Sequence, residues 1–531
     1  KQTNIFFVEN KLQNKEYNEF YLYLSLAVPF LLITGPFLPD LVISVFSLIF
    51  IFKIFQFKNY RQFFFTEKKI FFFVLLFFIY INLISIFSID KYLSFKNTIP
   101  FFRFFLFSVF LYFIILKKKN FFNKISLFFL FILFLFLSDI LIEIIFGTGI
   151  SGLIGETNNN SRRFSSFFGD EEIMGSYISR LLPLFISCLI ISDVKNKNQI
   201  FLLTFILSFI LILASGERVA LIFYLITFIH LIFIKKFKYV FLIFLSIFVI
   251  IIFSLNQFNF KPAKRIIDAT VQQLKPSVKF ANVKEQNIIK RERNFFIFSE
   301  RHENHFFQAY EIFKKNILFG TGPNTFRIAC KKEEFSNETR LKINNESYAY
   351  AQEDLLVSSS VTTAPLFLNE YNKERYNLHL INYIISDASG NIIIPVNEDE
   401  TYRYKLLKKI NSAVLKGDAI IQLTLFYPDG CNTHPHNIPM QFLSDLGLIG
   451  ILFLLIFYIF FAREYFKTIF SLNYSDLLNS HKFAYLFIIL SFIINLFPLL
   501  PNGNFFNNWI SILFYYPLGI MLFLRKKIYY E

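Results

Sequence analysis

Uninterrupted apolar runs of membrane-spanning length recur along this chain, and they constrain its fold more than any other feature. "KIFFFVLLFFIYINLISIFS", residues 69–88, is one such run. A helix needs about 20 apolar residues to cross the hydrocarbon core of a bilayer, and 55% of the 531 residues are hydrophobic. Unpaired backbone groups are too costly in lipid for other single segments to span it. The sequence therefore predicts an all-α polytopic membrane protein.

About twelve transmembrane helices fit the hydropathy pattern. They cover 19–35, 38–55, 70–88, 98–116, 125–146, 172–192, 199–214, 219–234, 239–255, 438–461, 483–499 and 507–524. This division predicts an N-terminal bundle over 1–255, a loop domain over 256–437 and a C-terminal group of about three spans over 438–531.

Lysine and arginine are distributed unevenly between the short loops on the two sides of the membrane. The richer set comprises nineteen residues: Lys58, Arg61, Lys68, Lys69, Lys117, Lys118, Lys119, Lys124, Lys195, Lys197, Lys235, Lys236, Lys238, Arg463, Lys467, Lys482, Arg525, Lys526 and Lys527. The poorer set comprises five: Lys91, Lys96, Arg162, Arg163 and Arg218. Because short cytoplasmic loops are rich in Lys and Arg, we expect both termini in the cytoplasm and the loop domain outside. The net charge of +16 then reflects topology, and a nucleic-acid partner is not expected.

The loop domain has two predicted parts. In residues 298–320, Phe306, Tyr310, Phe313 and Ile317 stand at helical spacing, which predicts an amphipathic helix on the membrane surface. The second part, 331–430, is polar and contains strand-like alternation.

Within that second part, "NLHLINYIISDASGNIIIPV" (377–396) is typical of a hairpin turning at "DASGN", so we expect a small mixed α/β insert. Cys330 and Cys431 bracket this insert on the outer side, where disulfides persist. We predict a bridge between them; two unpaired thiols are the alternative.

Few ionisable side chains interrupt the predicted spans. Away from the ends of the spans they are Arg103, Asp139, Glu143, Arg180, His230 and Asp445. All but His230 fall in the outer half of the bilayer, and His230 is expected to snorkel to the cytoplasmic surface. An arginine-rich pocket would suit a lipid-linked anion, because guanidinium groups bind phosphate oxygens in pairs. The plainer alternative is structural ion pairs, of Asp139 or Glu143 with Arg103 or Arg180.

Four blocks of the sequence resemble the bacterial O-antigen ligase and O-antigen polymerase family. They are "RRFSSFFGDEEIMGSYISRLLPL" (162–184), "LASGERVALI" (213–222), "SERHENHFFQAYEIFKKNILFGTGPNTF" (299–326) and "HPHNIPMQFLSDLGLIGILFLL" (434–455). Two residues depart from the family pattern: Asp445 stands where Glu is usual, and Glu217 precedes the arginine of the second block. The insert 331–430 has no counterpart in the typical member.

The resemblance implies a glycosyltransferase of the bacterial inner membrane, with its active site on the periplasmic side. The donor would be a glycan on undecaprenyl diphosphate, and a hydroxyl of a glycan or glycolipid acceptor would attack the anomeric carbon with inversion. The matching arginines Arg163, Arg218 and Arg301 would bind the leaving diphosphate, and Arg180 is added from its depth in the membrane. No metal or other cofactor is expected.

The same resemblance assigns the acceptor end of the reaction to "HPHN". His436 would act as base or as the group that orients the acceptor, since an imidazole titrates near neutrality. Asn437 and His434 would support it.

Three alternatives remain open at this stage. His302, His305, His434 and His436 could bind a metal, although no acidic or Cys ligands accompany them at standard zinc spacing. His436 could instead only pack its loop against the following helix. Outside the enzyme class, a lipid-linked glycan transporter or flippase would also use many spans and buried charges, although the sequence shows no internal repeat.

Overall fold

A computed structural model describes residues 19–118, 120–150, 163–169, 171–230, 261–274, 300–330, 332, 335, 355–356, 381–387, 392–393, 419–425, 431–472 and 480–529. The chain divides into two compact units. The first is Lys1–Gln272 with Ile449–Glu531, and the second is Gln273–Leu448.

Sixteen α-helices and four strands are described. The helices before the strands are α1 Glu19–Leu31, α2 Phe37–Gln56, α3 Lys58–Thr66, α4 Lys68–Phe87, α5 Lys91–Thr98, α6 Phe102–Lys117, α7 Phe121–Phe146, α8 Met174–Ile191, α9 Lys197–Ser215, α10 Arg218–Ile229, α11 Lys261–Leu274, α12 Glu300–Lys315 and α13 Phe326–Ala329. Those after the strands are α14 Ile438–Phe470, α15 His481–Asn495 and α16 Asn508–Tyr529.

The described helices agree closely with the predicted membrane spans. Eight are long and apolar enough to cross a membrane, and three shorter apolar helices, at Glu19–Thr34, Arg218–Ile229 and His481–Asn495, coincide with further predicted spans. The predicted span 239–255 lies outside the described residues. A multi-pass helical membrane protein is therefore supported, and the count of twelve stays a prediction.

Packing separates helices with exposed apolar faces from helices at the centre of the first unit. On α4, Phe87 leaves 83% of its surface exposed, whereas Tyr177 on α8 is fully buried. Exposed apolar side chains on a membrane helix suit contact with lipid tails. The first unit is thus built around buried helices such as α8.

Helices α6 and α16 pack closely through small residues. The Ser108 hydroxyl donates to the Tyr515 carbonyl at 2.6 Å, and a Cβ at Gly519 would lie 2.7 Å from the Ser108 carbonyl oxygen. Small residues allow such close backbone approach between membrane helices. Gly519 is therefore required by the α6–α16 contact.

In the second unit, the described strands form one antiparallel sheet. The strands are β1 Leu355–Leu356, β2 Ile381–Asp387, β3 Ile392–Ile393 and β4 Ala419–Leu425, in the order β1-β4-β2-β3. Ser386 pairs with Ile392 across β2 and β3, in the segment predicted to form a hairpin. The mixed character of the insert and its outward position stay predictions.

One expectation about ionisable residues in the spans is wrong, and one alternative is not the pairing that the structure describes. His230 does not snorkel: it is buried, with Nε2 2.6 Å from the Tyr465 hydroxyl. The alternative paired Arg103 with Asp139 or Glu143, whereas the structure describes Arg103 donating to Asp40 at 2.6 Å. Asp40 lies in the first turn of α2, whereas Arg103 lies on α6. Hydropathy does not predict which helices pack together, so it gave no reason to expect this ion pair.

Asp139 contacts the loop that precedes α8. Asp139 is fully buried and accepts a hydrogen bond of 2.6 Å from the Ser166 hydroxyl. A neutral hydroxyl stabilises a buried carboxylate without a second charge. Asp139 thus has a hydrogen bond to the loop before α8.

Candidate functional site

Four imidazoles gather in the second unit. The ring centroid of His436 lies 4.1 Å from that of His434, 5.3 Å from His305 and 5.6 Å from His302. His302 and His305 are one helical turn apart on α12, and i, i+3 spacing places them on one face. The sequence motifs "HENH" and "HPHN" therefore meet at one place.

The backbone before α14 holds His436 in an unusual conformation. His436 has φ +53°, in the left-handed region that few non-glycine residues adopt. The next residue, Asn437, is buried and accepts the Met440 N–H through its side-chain oxygen at 3.1 Å, as a helix N-cap does. Asn437 thereby starts α14 and fixes the direction in which the chain leaves His436.

A disulfide fixes the other end of this segment. Cys330 and Cys431 are bonded, with their Cα atoms 5.3 Å apart and a separation of 101 positions in sequence. The predicted bridge is confirmed. It ties α13 to the chain five residues before His436, so two distant sequence blocks share one covalent anchor.

Asn432, which the sequence gave no reason to single out, lies between two of the imidazoles. Its Nδ2 atom is 3.0 Å from Nε2 of His436 and 3.4 Å from Nε2 of His305. His305 is fully buried, while His436 is partly exposed. The signal that could have found Asn432 is its position directly after Cys431.

Asp445 holds the "GTGPNTF" loop against the first turns of α14. Its carboxylate accepts the backbone N–H groups of Asn324 and Phe326, each at 3.0 Å. It also accepts the side-chain amide of Gln441 at 3.2 Å. Asp445 is fully buried, so these bonds replace its hydration. Asp445 thus links the "GTGPNTF" loop to α14 through hydrogen bonds.

Two glycines allow the loop and the helix to touch through their backbones. A Cβ at Gly447 would lie 2.6 Å from the Gly320 nitrogen, and Gly447 has φ +65° within α14. The Leu448 N–H donates to the Ile317 carbonyl at 2.7 Å across the same contact. This close contact between the two backbones leaves no room for a Cβ atom, which explains why glycine stands at positions 320 and 447.

In the first unit, two of the predicted arginines, Arg163 and Arg218, lie around the turn between α9 and α10. Arg163 donates to Glu172 at 2.5 Å, and its side chain is 19% exposed. A Cβ at Gly216 would lie 3.4 Å from Cγ of Arg163, so Arg163 packs on the turn. Arg218 begins α10 and is partly exposed. The two residues therefore belong to one polar region.

Arg265 joins this region, although the sequence did not single it out. Its Nη1 donates to the Gly216 carbonyl at 3.3 Å from helix α11. The signal for it was weak, because "KPAKRIID" is one of several basic segments and its proximity to the turn depends on tertiary packing.

Glu217 does not oppose the arginines in the way its sequence position suggests. Its carboxylate accepts the Ser176 N–H at 3.1 Å and the Ser176 hydroxyl at 2.5 Å. Ser176 lies in the first turn of α8, where free N–H groups favour a carboxylate. Burial raises the pKa of Glu217 above its usual range, and the bonds from Ser176 act against that shift.

The other two predicted arginines are described unequally. Arg180 is buried on α8, donates to Asn495 at 3.3 Å and lies 5.0 Å from the ring centroid of Phe223. Arg301 lies in the first turn of α12, and its side chain is outside the described part of the structure. The diphosphate roles of Arg163, Arg180, Arg218 and Arg301 stay predictions.

Among the described residues, no group of three or more His, Cys, Asp or Glu side chains has the geometry to hold a metal ion. His434, the remaining member of the histidine cluster, has its Nδ1 3.0 Å from the Thr433 hydroxyl.

The apolar helices and the polar regions at their ends are those of a multi-pass membrane protein. A family model described as O-antigen ligase matches residues 203–354. This match covers less than half of the chain, and it confirms the resemblance to an O-antigen ligase family. No curated protein matches the chain.

The matched range contains Arg218 and Arg301, and His436 lies beyond it. The match supports a glycosyltransferase-like function of the ligase or polymerase type in broad terms. Such a family implies a lipid-linked glycan donor and a glycan acceptor.

Proposed function

We propose that this chain is an O-antigen ligase-type glycosyltransferase. It moves a glycan from undecaprenyl diphosphate to a membrane-anchored acceptor such as a lipid A-core, on the periplasmic face of the bacterial inner membrane. The transfer is metal-independent and inverting. The observation that carries the proposal is the ordered histidine cluster around His436, in a chain whose residues 203–354 match the family.

The chemistry assigns two tasks to side chains. The acceptor hydroxyl must be oriented and activated at the anomeric carbon, and His436 performs this task as base or as orienting group, supported by His434 and Asn437. The leaving diphosphate gains negative charge as the glycosidic bond breaks, and Arg163, Arg218 and Arg301 stabilise it.

Arg180 and Arg265 have lesser roles in this proposal. Arg180 supports the diphosphate-binding arginines through its position in the membrane. Arg265 donates to the Gly216 carbonyl, and its remaining N–H groups add positive charge to the turn that carries Arg218.

A polymerase would use the same donor chemistry, and a transporter would not transfer the glycan at all. We favour the ligase because α12 carries an apolar face next to its polar one, and such a helix can lie at a membrane surface and guide an anchored acceptor. The exposed apolar residue Tyr310 on α12 fits that role.

Replacing His436 tests the proposal directly. His436→Ala should abolish glycan transfer while expression and membrane insertion are retained, because a partly exposed loop residue adds little to packing. The measurement is gel analysis of surface glycans in a strain that lacks its own copy of the protein. His481→Ala, which removes an exposed histidine at the start of α15, is the matched control.

The gel also separates the three functions. Loss of a ligase leaves full-length polymer on the carrier lipid and none on the anchor, whereas loss of a polymerase leaves single repeat units on the anchor. Single repeat units on the anchor in the His436→Ala strain would identify the protein as a polymerase rather than a ligase. Normal surface glycan in that strain, with transport of lipid-linked glycan in vesicles, would favour the transporter.

The arginines are tested by a change that keeps their charge. Arg218→Lys should lower transfer at least about tenfold, because lysine loses the paired N–H groups that bind two phosphate oxygens. Arg61→Lys, on the exposed surface of α3, is the matched control. Wild-type transfer in the Arg218→Lys variant would remove Arg218 from the diphosphate site.

A further inference from the structure

The environment of Asn432 fixes the orientation of its side-chain amide. The Thr433 N–H donates to Oδ1 of Asn432 at 2.7 Å. Only the oxygen of a carboxamide accepts a hydrogen bond, whereas its nitrogen is a double donor. Nδ2 is therefore the atom that faces the imidazoles of His436 and His305.

Both amide hydrogens have an acceptor. Nδ2 lies 3.0 Å from Nε2 of His436 and 3.4 Å from Nε2 of His305. Because an NH₂ group has no acceptor to offer, each Nε2 must accept through its lone pair. A neutral imidazole that accepts at Nε2 carries its proton on Nδ1. An imidazolium would instead direct an N–H at the amide hydrogens.

We propose that Asn432 is a positioning residue that holds His436 as its Nδ1–H tautomer. His305, fully buried, accepts the second amide hydrogen and so fixes the plane of the amide. The Thr433 N–H fixes the other end of that plane. The three hydrogen-bond partners of Asn432 thus fix the orientation of its side-chain amide. The amide in turn determines which nitrogen of His436 carries the proton.

This inference rests on the proposed function for the role of His436, and it narrows that role. The Nε2 lone pair is already used by Asn432, so it does not take the proton of the acceptor hydroxyl. His436 meets the acceptor as a hydrogen-bond donor, with its Nδ1–H directed to the hydroxyl oxygen. Of the two roles considered for His436, orientation of the acceptor is the one that this tautomer supports.

Three imidazoles surround His436 among the residues that the structure describes. His302 and His305 face it from α12, at ring-centroid distances of 5.6 and 5.3 Å. His434 faces it from its own segment at 4.1 Å. Asn432→Asp changes this environment with little change of shape. The carboxylate still accepts the Thr433 N–H, but it requires a donor at Nε2 and therefore reverses the tautomer or favours the imidazolium.

Nitrogen NMR on the full-length protein tests the tautomer without any assay of activity. Protein labelled with ¹⁵N-histidine is placed in lipid bilayers near neutral pH, and the His436 signals are assigned by their loss in His436→Ala. We expect a protonated Nδ1 and an unprotonated Nε2 in the wild type, and a protonated Nε2 in Asn432→Asp. A protonated Nε2 in the wild type would overturn the proposal, whether or not the protein proves to be a ligase.

Glycan transfer measured against pH in isolated membranes supplies the second arm. Asn432→Asp should lower transfer about tenfold near neutrality and shift the pH profile. Asn507→Asp makes the same chemical change at an exposed helix cap, where a carboxylate can still accept the Trp509 N–H, and should leave both unchanged. A wild-type rate and profile in Asn432→Asp would contradict the positioning role. Peptide mapping of the Cys330–Cys431 disulfide confirms that the variant is folded, and if it is not, the wild-type spectrum decides.

Discussion

Glu217 illustrates how the role of one residue depends on contacts that its sequence neighbours do not reveal. It stands directly before Arg218, where a carboxylate would weaken the binding of a diphosphate. In the structure its oxygens accept hydrogen bonds from Ser176 in the first turn of α8. The carboxylate is buried there, so its charge is directed to the end of a neighbouring helix.

The raised pKa of Glu217 predicts a pH dependence of stability. The folded chain holds the proton of Glu217 more tightly than the unfolded chain does. The protonated side chain therefore adds to the free energy of unfolding, and this stabilisation is fully present below the unfolded pKa of 4.5. It is lost as the pH rises through the folded pKa. Glu217→Gln keeps an acceptor for the Ser176 N–H and stays neutral.

The thermal midpoint of the variant should therefore fall less than that of the wild type as the pH rises above 4.5, the pKa of the unfolded chain. Thermal unfolding of purified protein in detergent measures this difference. Glu311→Gln, which removes a carboxylate from an ion pair with Lys314, is the control. Equal slopes in the Glu217→Gln variant and the wild type would contradict the prediction.

At the scale of elements, hydropathy predicted the helices well and their partners poorly. A span such as 70–88 can be recognised because its apolar character is local, and α4 covers Lys68–Phe87. Contacts such as Arg103 with Asp40 join residues far apart in sequence, 63 positions in this case. The histidine cluster was partly predictable from its motifs, but the bridging Asn432 depends on how α12 meets the segment after Cys431.

The contact between the "GTGPNTF" loop and α14 makes an element-scale prediction. Gly447→Ala should destabilise the protein by more than Gly147→Ala. Both glycines have positive φ, at +65° and +81°, so both substitutions introduce backbone strain of about 1–2 kcal/mol. At Gly147 nothing lies within 4 Å of the added Cβ, whereas at Gly447 it meets Leu318 and Gly320 backbone atoms.

Thermal unfolding of the two variants separates the steric collision, which only the Cβ at position 447 makes, from the backbone strain, which both variants share. A midpoint for Gly447→Ala equal to that for Gly147→Ala would show that the loop and α14 separate without cost. The close backbone approach would then contribute nothing to holding the segment that carries His436.

The topology of the whole chain decides whether the proposed chemistry can reach its substrates. The uneven distribution of Lys and Arg predicts that Lys482, at the start of α15, is cytoplasmic and that α12 is outside. A donor displayed on the periplasmic face requires the histidine cluster on that same side. The proposed function therefore requires one of the two possible orientations of the chain in the membrane. Hydropathy and packing do not determine which one the chain adopts.

Cysteine labelling in intact cells tests this orientation. The parent chain carries Cys188→Ala and retains the Cys330–Cys431 disulfide, which does not react with maleimides. Lys315→Cys and Lys482→Cys each place one thiol on an exposed surface. A membrane-impermeant maleimide should label Lys315→Cys from outside and should label Lys482→Cys only after the membrane is opened. The parent chain should stay unlabelled in both conditions. Labelling of Lys482→Cys in intact cells would invert the topology and place α12 in the cytoplasm. An acceptor-binding His436 would then face the wrong compartment, and the ligase proposal would fail together with the topology.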